Sequence, residues 1–165
     1  MKTMMNMFLR ELKDEAIGTR KMLAIVPADK LTWKPHERSM SLKDLATHIA
    51  DLPSWITLSL KTNGIDFAVS PYNPDDCKNA DELLNYFEKN LNTAEQDLNA
   101  ADDAVLQDKW TISNGDITYW ETNRHDSIRH TLSQIIHHRA QLGVYLRLLN
   151  IPIPGVYGPS ADEQM

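Results

Sequence analysis

The sequence predicts an all-α protein, a four-helix bundle with a small hairpin between its third and fourth helices. Three observations carry this. Four segments repeat their apolar residues at the three-to-four-residue interval of an amphipathic helix. Each is bounded by a capping residue or a proline. Strand-like alternation is confined to one short stretch, Lys109–Trp120.

The first helix is expected over Thr3–Val26, with Met7, Phe8, Leu12, Ala16, Met22 and Leu23 facing the core and Pro27 ending it. The second follows Ser41, a suitable N-cap, and puts Leu42, Leu45, Ile49, Leu52, Ile56 and Leu60 on one face. Pro53 falls inside it and removes an amide donor, so a bend just after His48 is expected. The third opens near Asn79 and buries Leu83, Leu84, Phe87, Leu91, Ala94 and Leu98. The fourth runs from about Arg124 to Leu149 and is stopped by Asn150, Pro152 and Pro154.

The links differ in kind. Lys30–Met40 reads as extended, and Asn63–Asn79, with Gly64, Pro71 and Pro74, reads as a surface loop. KWTISNGDITYW alternates on either side of Asn114-Gly115, the pattern of a tight hairpin. All 165 residues fit one domain, with 151–165 as an extended tail. In that tail Tyr157-Gly158-Pro159 forces a turn that carries Asp162 and Glu163 back towards the bundle, although a frayed terminus is the favoured reading.

Composition narrows function. The chain is 42% hydrophobic and 24% charged, the balance of a soluble globular protein. A net charge of −6 without a basic block argues against nucleic acid, whose phosphates need clustered Lys and Arg. No apolar run approaches the ~20 residues that cross a bilayer, and the N-terminus has no signal-peptide pattern, so a cytoplasmic location is expected. The lone Cys77 follows Asp75 and Asp76, which disfavour a thiolate, and it reads as a structural thiol.

The fourth helix contains HTLSQIIHHRAQLGVYLRLL. Ile128, Ile135, Leu142, Leu146 and Leu149 share a narrow apolar arc. His138 lies beside that arc and Gln134 a little further round on the same side, whereas His137 and His130 point to the flank or the surface. On the second helix, His48 is one turn before Leu52 at the edge of the apolar face, with Trp55 near its azimuth. His36 and His125 read as local hydrogen bonders. Borderline divalent ions take neutral imidazole nitrogen, and ligands at i and i+4 with a third from a facing helix can share one. His48, position 134 and His138 have that arrangement, with glutamine at 134; packing histidines that only hydrogen-bond are the alternative. Trp55 and Tyr145 are candidate pocket residues, Trp33 a further one, and Arg139 and Arg147 are read as making salt bridges or dimer contacts rather than touching substrate.

LKDLATHIADLPSW and IIHHRAQLGVYLRLLNIPIPGVYGPSADE, with WKPHERSMSL ahead of the second helix, closely resemble the DinB/YfiT-like superfamily of metal-dependent enzymes. This is the DNA-damage-inducible four-helix-bundle family, distinct from the lesion-bypass polymerase that shares the label. The resemblance implies a divalent metal, nickel or zinc, held by three histidines. One falls on His48, the last on His138, and the middle one on Gln134, where histidine is expected. It further implies hydrolysis or thiol transfer on a small-molecule substrate, among them low-molecular-weight thiols such as bacillithiol or mycothiol. The glutamine weakens such a site, which leaves a metal-free binding or interaction module as the alternative function. A homodimer is expected.

Overall fold

The computed structural model of the chain describes residues 2–163. Four long helices form, α1 (Thr3–Leu23), α2 (Leu42–Lys61), α3 (Ala80–Ala100) and α4 (Arg124–Leu148). Their starts are capped as short polar side chains allow. Ser41 Oγ accepts the Asp44 amide at 3.0 Å and the Asp44 carboxylate returns a bond to the Ser41 amide at 3.3 Å, closing a capping box. Asn79 and Asn123 accept the amides of Glu82 and Asp126 at 2.9 and 2.8 Å. Past the end of α4, Asn150 turns left-handed at φ 57°, a position where asparagine substitutes for glycine. Pro53 lies within α2, whose helical run continues through it.

Contacts between helices give the bundle its order. α1 packs on α3 and α4, α2 packs on the same two, and α1 and α2 are diagonal. Lys2 reaches the Asn99 carbonyl at 2.6 Å while Arg20 pairs with Glu88, so α1 and α3 are antiparallel. Tyr86 meets Asp51 and Asp97 meets Lys61, so α2 and α3 are parallel. Ser59 bonds Ser127 at 2.7 Å while His48 meets His138, so α2 and α4 are antiparallel. The order is therefore up, down, down, up.

Two parallel helices in succession require the chain to travel back along the bundle between them. Residues 62–79 do this, and their description as a mere surface loop needs correcting. They begin as a strand, β1 (Gly64–Asp66), run beside α2, and deliver Tyr72 to His48 before Cys77 is buried near Thr47.

The all-α expectation is corrected as well. β1 pairs in parallel with β2 (Lys109–Asn114), which pairs antiparallel with β3 (Ile117–Asn123). The predicted hairpin is thus two strands of a three-stranded sheet, and its two turn residues are Gly115 and Asp116. Gly115 has φ 58°, the positive value such a turn demands at its first central position. Three residues after a helix, with one partner far along the chain, leave too little pattern for β1 to be read from sequence. The sheet is anchored by Trp110, which is fully buried and donates Nε1–H to the Leu58 carbonyl at 3.4 Å.

The core follows the periodicity. Every expected apolar position of α2 is buried, as are Leu83, Phe87, Leu91, Ala94 and Leu98 of α3, with Leu84 at the margin. Met7 is the exception: it is 58% exposed and Met5 takes the interior place, because the buried face of α1 passes through 5, 8, 12 and 16.

Candidate metal centre

His48 sits in the second turn of α2, on the margin of the face that buries Leu45, Ile49 and Leu52. His138 sits on α4 beside Ile135 and Leu142. Because α2 and α4 pack antiparallel, the rings meet, with centroids 4.7 Å apart and planes at 78°. Two imidazoles that share an ion at the usual ~2.0–2.1 Å bond have centroids roughly 4.5–5.5 Å apart. That spacing suits co-ligands, and it equally suits two rings packed edge to face.

Both rings are neutral at neutral pH. Burial pushes the His48 pKa down to about 4, helped by the proximity of His138 and opposed by Asp51. Burial also lowers His138, with Gln141 opposing and His137 adding to the fall. Neutral imidazole is the form that ligates metal or accepts a proton.

Two residues that the sequence reading did not single out complete the surroundings. Asp51, one turn beyond His48, is a buried carboxylate on a helix face whose other buried residues are apolar except for Thr47 and Ser59. Burying a charge is costly unless donors surround it. Here Ser54 and the Trp55 indole donate at 3.1 Å each and the Tyr86 hydroxyl at 2.6 Å. Tyr72 arrives from the crossover, and its hydroxyl lies 3.1 Å from His48 Nδ1. Burial and the Asp51 charge raise the pKa of Tyr72, so it keeps its proton. Asp51 on the buried face of α2 was a legible signal; Tyr72 was not, since nothing local shows where a 18-residue link passes.

Trp55 stands where the azimuth put it, perpendicular to His48 with ring centroids 6.5 Å apart. Together with Asp51, Ser54, Phe67 and Tyr72 it lines a cavity of about 210 Å³. On the other side, Tyr72, Met40, Lys43 and Thr47 line one of about 470 Å³. Tyr72, Asn73 and Pro74 line both, and neither cavity is lined by His48 or His138. Tyr145 is spent elsewhere: its hydroxyl donates to the Met40 carbonyl at 3.2 Å and its ring meets Trp33 at 5.6 Å.

Gln134 donates an amide N–H to His130 Nε2 at 3.1 Å, and His130 stacks at 4.9 Å on Trp120 of β3. His130 and His137 are exposed, as expected, and His36 and His125 bond only neighbours. Among the described residues, no three His, Cys, Asp or Glu side chains are grouped as a metal would need. The side chains that could hold an ion are the imidazoles of His48 and His138; the Gln134 amide is engaged by His130, and no contact among the described residues brings it to either ring. Two neutral imidazoles suit a borderline divalent ion by donor type but fall short of the three protein ligands such a site ordinarily has.

The tail is pinned rather than frayed up to the last described residue. Asp162 pairs with Arg147 at 2.5 Å and takes the Ile153 amide at 2.9 Å; Glu163 takes the Gly155 amide at 2.7 Å. Both carboxylates are thereby occupied away from the histidines. Gln164 and Met165 lie outside the described residues. Arg139, 3% exposed, bonds Glu15, Thr19 and Tyr157, tying α4 to α1 and to the tail.

An up-down-down-up helical bundle with paired neutral imidazoles facing each other across α2 and α4 defines a class of bundle proteins with an interior-edge polar centre. The DinB family profile matches residues 1–164, and the chain belongs to that family. Solved structures agree on the fold. A DinB-like protein from Bacillus subtilis is 18% identical with a TM-score of 0.67, covering 91% of this chain and 96% of its own. A DinB-like protein from Bacillus cereus is 20% identical with a TM-score of 0.68, covering 91% and 95%. A protein assigned to the DinB family from Exiguobacterium sibiricum is 19% identical with a TM-score of 0.65, covering 94% and 97%. No functionally curated protein is detectably similar in sequence. No helix among the described residues is long and apolar enough to cross a membrane.

Proposed function

We propose that this DinB-family chain is a metal-dependent enzyme acting on a small molecule, with His48 and His138 as ligands to nickel or zinc and Gln134 as a weak third. The observation that supports the reading is the meeting of two neutral imidazoles from facing helices at 4.7 Å. The chemistry a divalent ion supplies when held there is a lowered pKa for a water or thiol, suited to hydrolysis or to transfer of a low-molecular-weight thiol. His48 and His138 bind, Trp55 and Tyr72 shape the approach, and protonated Tyr72 offers a hydrogen bond at its edge. The net charge of −6 supports a partner other than nucleic acid. Val144 and Leu148, each more than half exposed on α4, support a homodimer formed through helix faces.

Metal analysis of protein purified without chelator, beside His48→Ala and His138→Ala, tests the reading. Stoichiometric nickel or zinc lost in both variants is expected; metal that survives both removes these residues from the site. The bond from Gln134 to His130 favours a second reading, a metal-free binding module. Gln134→His separates the two: a wild type without metal and a variant that binds tightly mark the chain as a bundle that has lost its ion.

A further inference from the structure

We propose that the cavity bounded by Asp51, Trp55, Phe67 and Tyr72 binds a small molecule through a methylated ammonium group, with the carboxylate supplying the charge and the three rings the walls. An ion at His48 and His138 is not needed for this, since neither residue lines the cavity.

Asp51 is 7% exposed and forms part of the cavity wall. Ser54, the Trp55 indole and the Tyr86 hydroxyl all bond it, and all three are neutral donors. They occupy lone pairs without cancelling the negative charge. A buried aspartate ordinarily has a cation beside it. No lysine, arginine or histidine lines this cavity, and an open volume of about 210 Å³ lies against the carboxylate instead. The crossover that covers it adds to the negative field. Residues 62–77 include Asp66, Asp75 and Asp76 and no lysine or arginine, and of these Asp76 is offset by Lys43.

Large aromatic residues ordinarily supply core volume. Trp55, Phe67 and Tyr72 stand outside the hydrophobic core, and all three line this cavity. The bond from Trp55 Nε1 to Asp51 Oδ2 at 3.1 Å holds the indole beside the carboxylate. The Tyr72 ring lies 6.4 Å from it, with the planes at 60°. Phe67 is placed by its amide, which donates to the Ser113 carbonyl at 2.9 Å and extends the pairing of β1 with β2. Aromatic rings attract cations through their faces, most strongly where water is excluded.

The hydrogen bonds decide which cation suits the place. Ser54 and Tyr86 take Oδ1 and Trp55 takes Oδ2, so three of roughly four acceptor sites of the carboxylate are filled. A primary ammonium brings three N–H groups and finds about one of those sites open. A quaternary ammonium carries the same charge with no N–H to satisfy, and its methyl groups suit aromatic walls. The cavity is smaller than the ~300 Å³ at which ordinary ligand pockets begin, so it takes a head group and leaves the remainder of the ligand outside.

Titration of the full chain, as purified, with choline, ethanolamine and 3,3-dimethyl-1-butanol tests this. The second lacks the methyl groups and the third lacks the charge. The 15N resonance of the Trp55 indole reads binding. Choline is expected to saturate the shift and to bind at least roughly tenfold more tightly than either of the others. Asp51→Asn, Phe67→Leu and Tyr72→Leu are each expected to weaken choline about fivefold or more. Should Asp51→Asn fail to fold, Phe67→Leu and Tyr72→Leu decide, since both positions lie on the crossover outside the core. The proposal is overturned if choline does not bind, if ethanolamine or the alcohol binds as tightly, or if the two crossover variants keep the wild-type affinity.

Discussion

Removing the carboxylate of Glu15 exposes how α1, α4 and the tail are held together. Arg139 is 3% exposed at its side chain, and Glu15 is 11% exposed. The guanidinium gives Nη2 to Glu15 Oε2 at 2.5 Å and Nη1 to the Glu15 carbonyl and Thr19 Oγ1 at 2.8 and 3.1 Å. Tyr157 from the tail donates to the same Glu15 oxygen at 2.6 Å. In Glu15→Ala the arginine keeps its backbone and threonine bonds but becomes a buried charge with no counter-ion. Breaking one partner of such a pair costs ~3–5 kcal/mol, which lowers Tm by roughly 6–20 °C in a domain of this size. Tyr157→Phe removes one hydroxyl and costs only ~1 kcal/mol. Urea and thermal unfolding at neutral pH, at one fixed protein concentration, measure both. If Glu15→Ala costs under ~1 kcal/mol, the pair is hydrated in solution and the argument from burial fails.

Three further outcomes are expected. His48 titrates near 6.5 when unfolded and at about 4 when folded, so stability is complete above the first value and declines as pH falls towards the second. After allowance for the partial exposure of the ring, the loss is on the order of 2 kcal/mol. Urea unfolding from pH 7.5 to 4.5 should fall more steeply for wild type than for His48→Gln, and equal slopes refute it. A Cβ at Gly64 would lie 2.4 Å from the Thr111 carbonyl, so Gly64→Ala should part β1 from β2 and cost ~1–3 kcal/mol by urea unfolding. Unchanged stability would show that β1 yields freely. Val144→Glu combined with Leu148→Glu should convert the proposed dimer to a monomer in light scattering, without loss of helicity; a dimer that persists places the interface elsewhere.

Periodicity carried the helices and most of the core, since burial of a helix face repeats every turn and leaves its mark in consecutive residues. Met7 shows the grain of that method: two methionines near a helix start, Met5 and Met7, differ by about half a turn, and only the packing of α1 on its neighbours selects Met5. Azimuth also separated His138 from His137 and placed Trp55 beside His48, because both are properties of one helix. Tyr145 was positioned well and assigned too freely, since the carbonyl that takes its hydroxyl lies 105 residues away.

By itself the sequence determined four amphipathic helices, their caps, a tight hairpin and the inward lean of His48 and His138, all of which are local consequences of side-chain spacing and backbone preference. The tertiary structure alone decided the up-down-down-up order, the parallel strand at Gly64–Asp66 and the route of residues 62–79. Through that route it decided the company of His48, with Tyr72 and Asp51 around the ring. The reason is physical: where a link passes depends on which surfaces the helices leave exposed after packing, and no window of sequence contains that information.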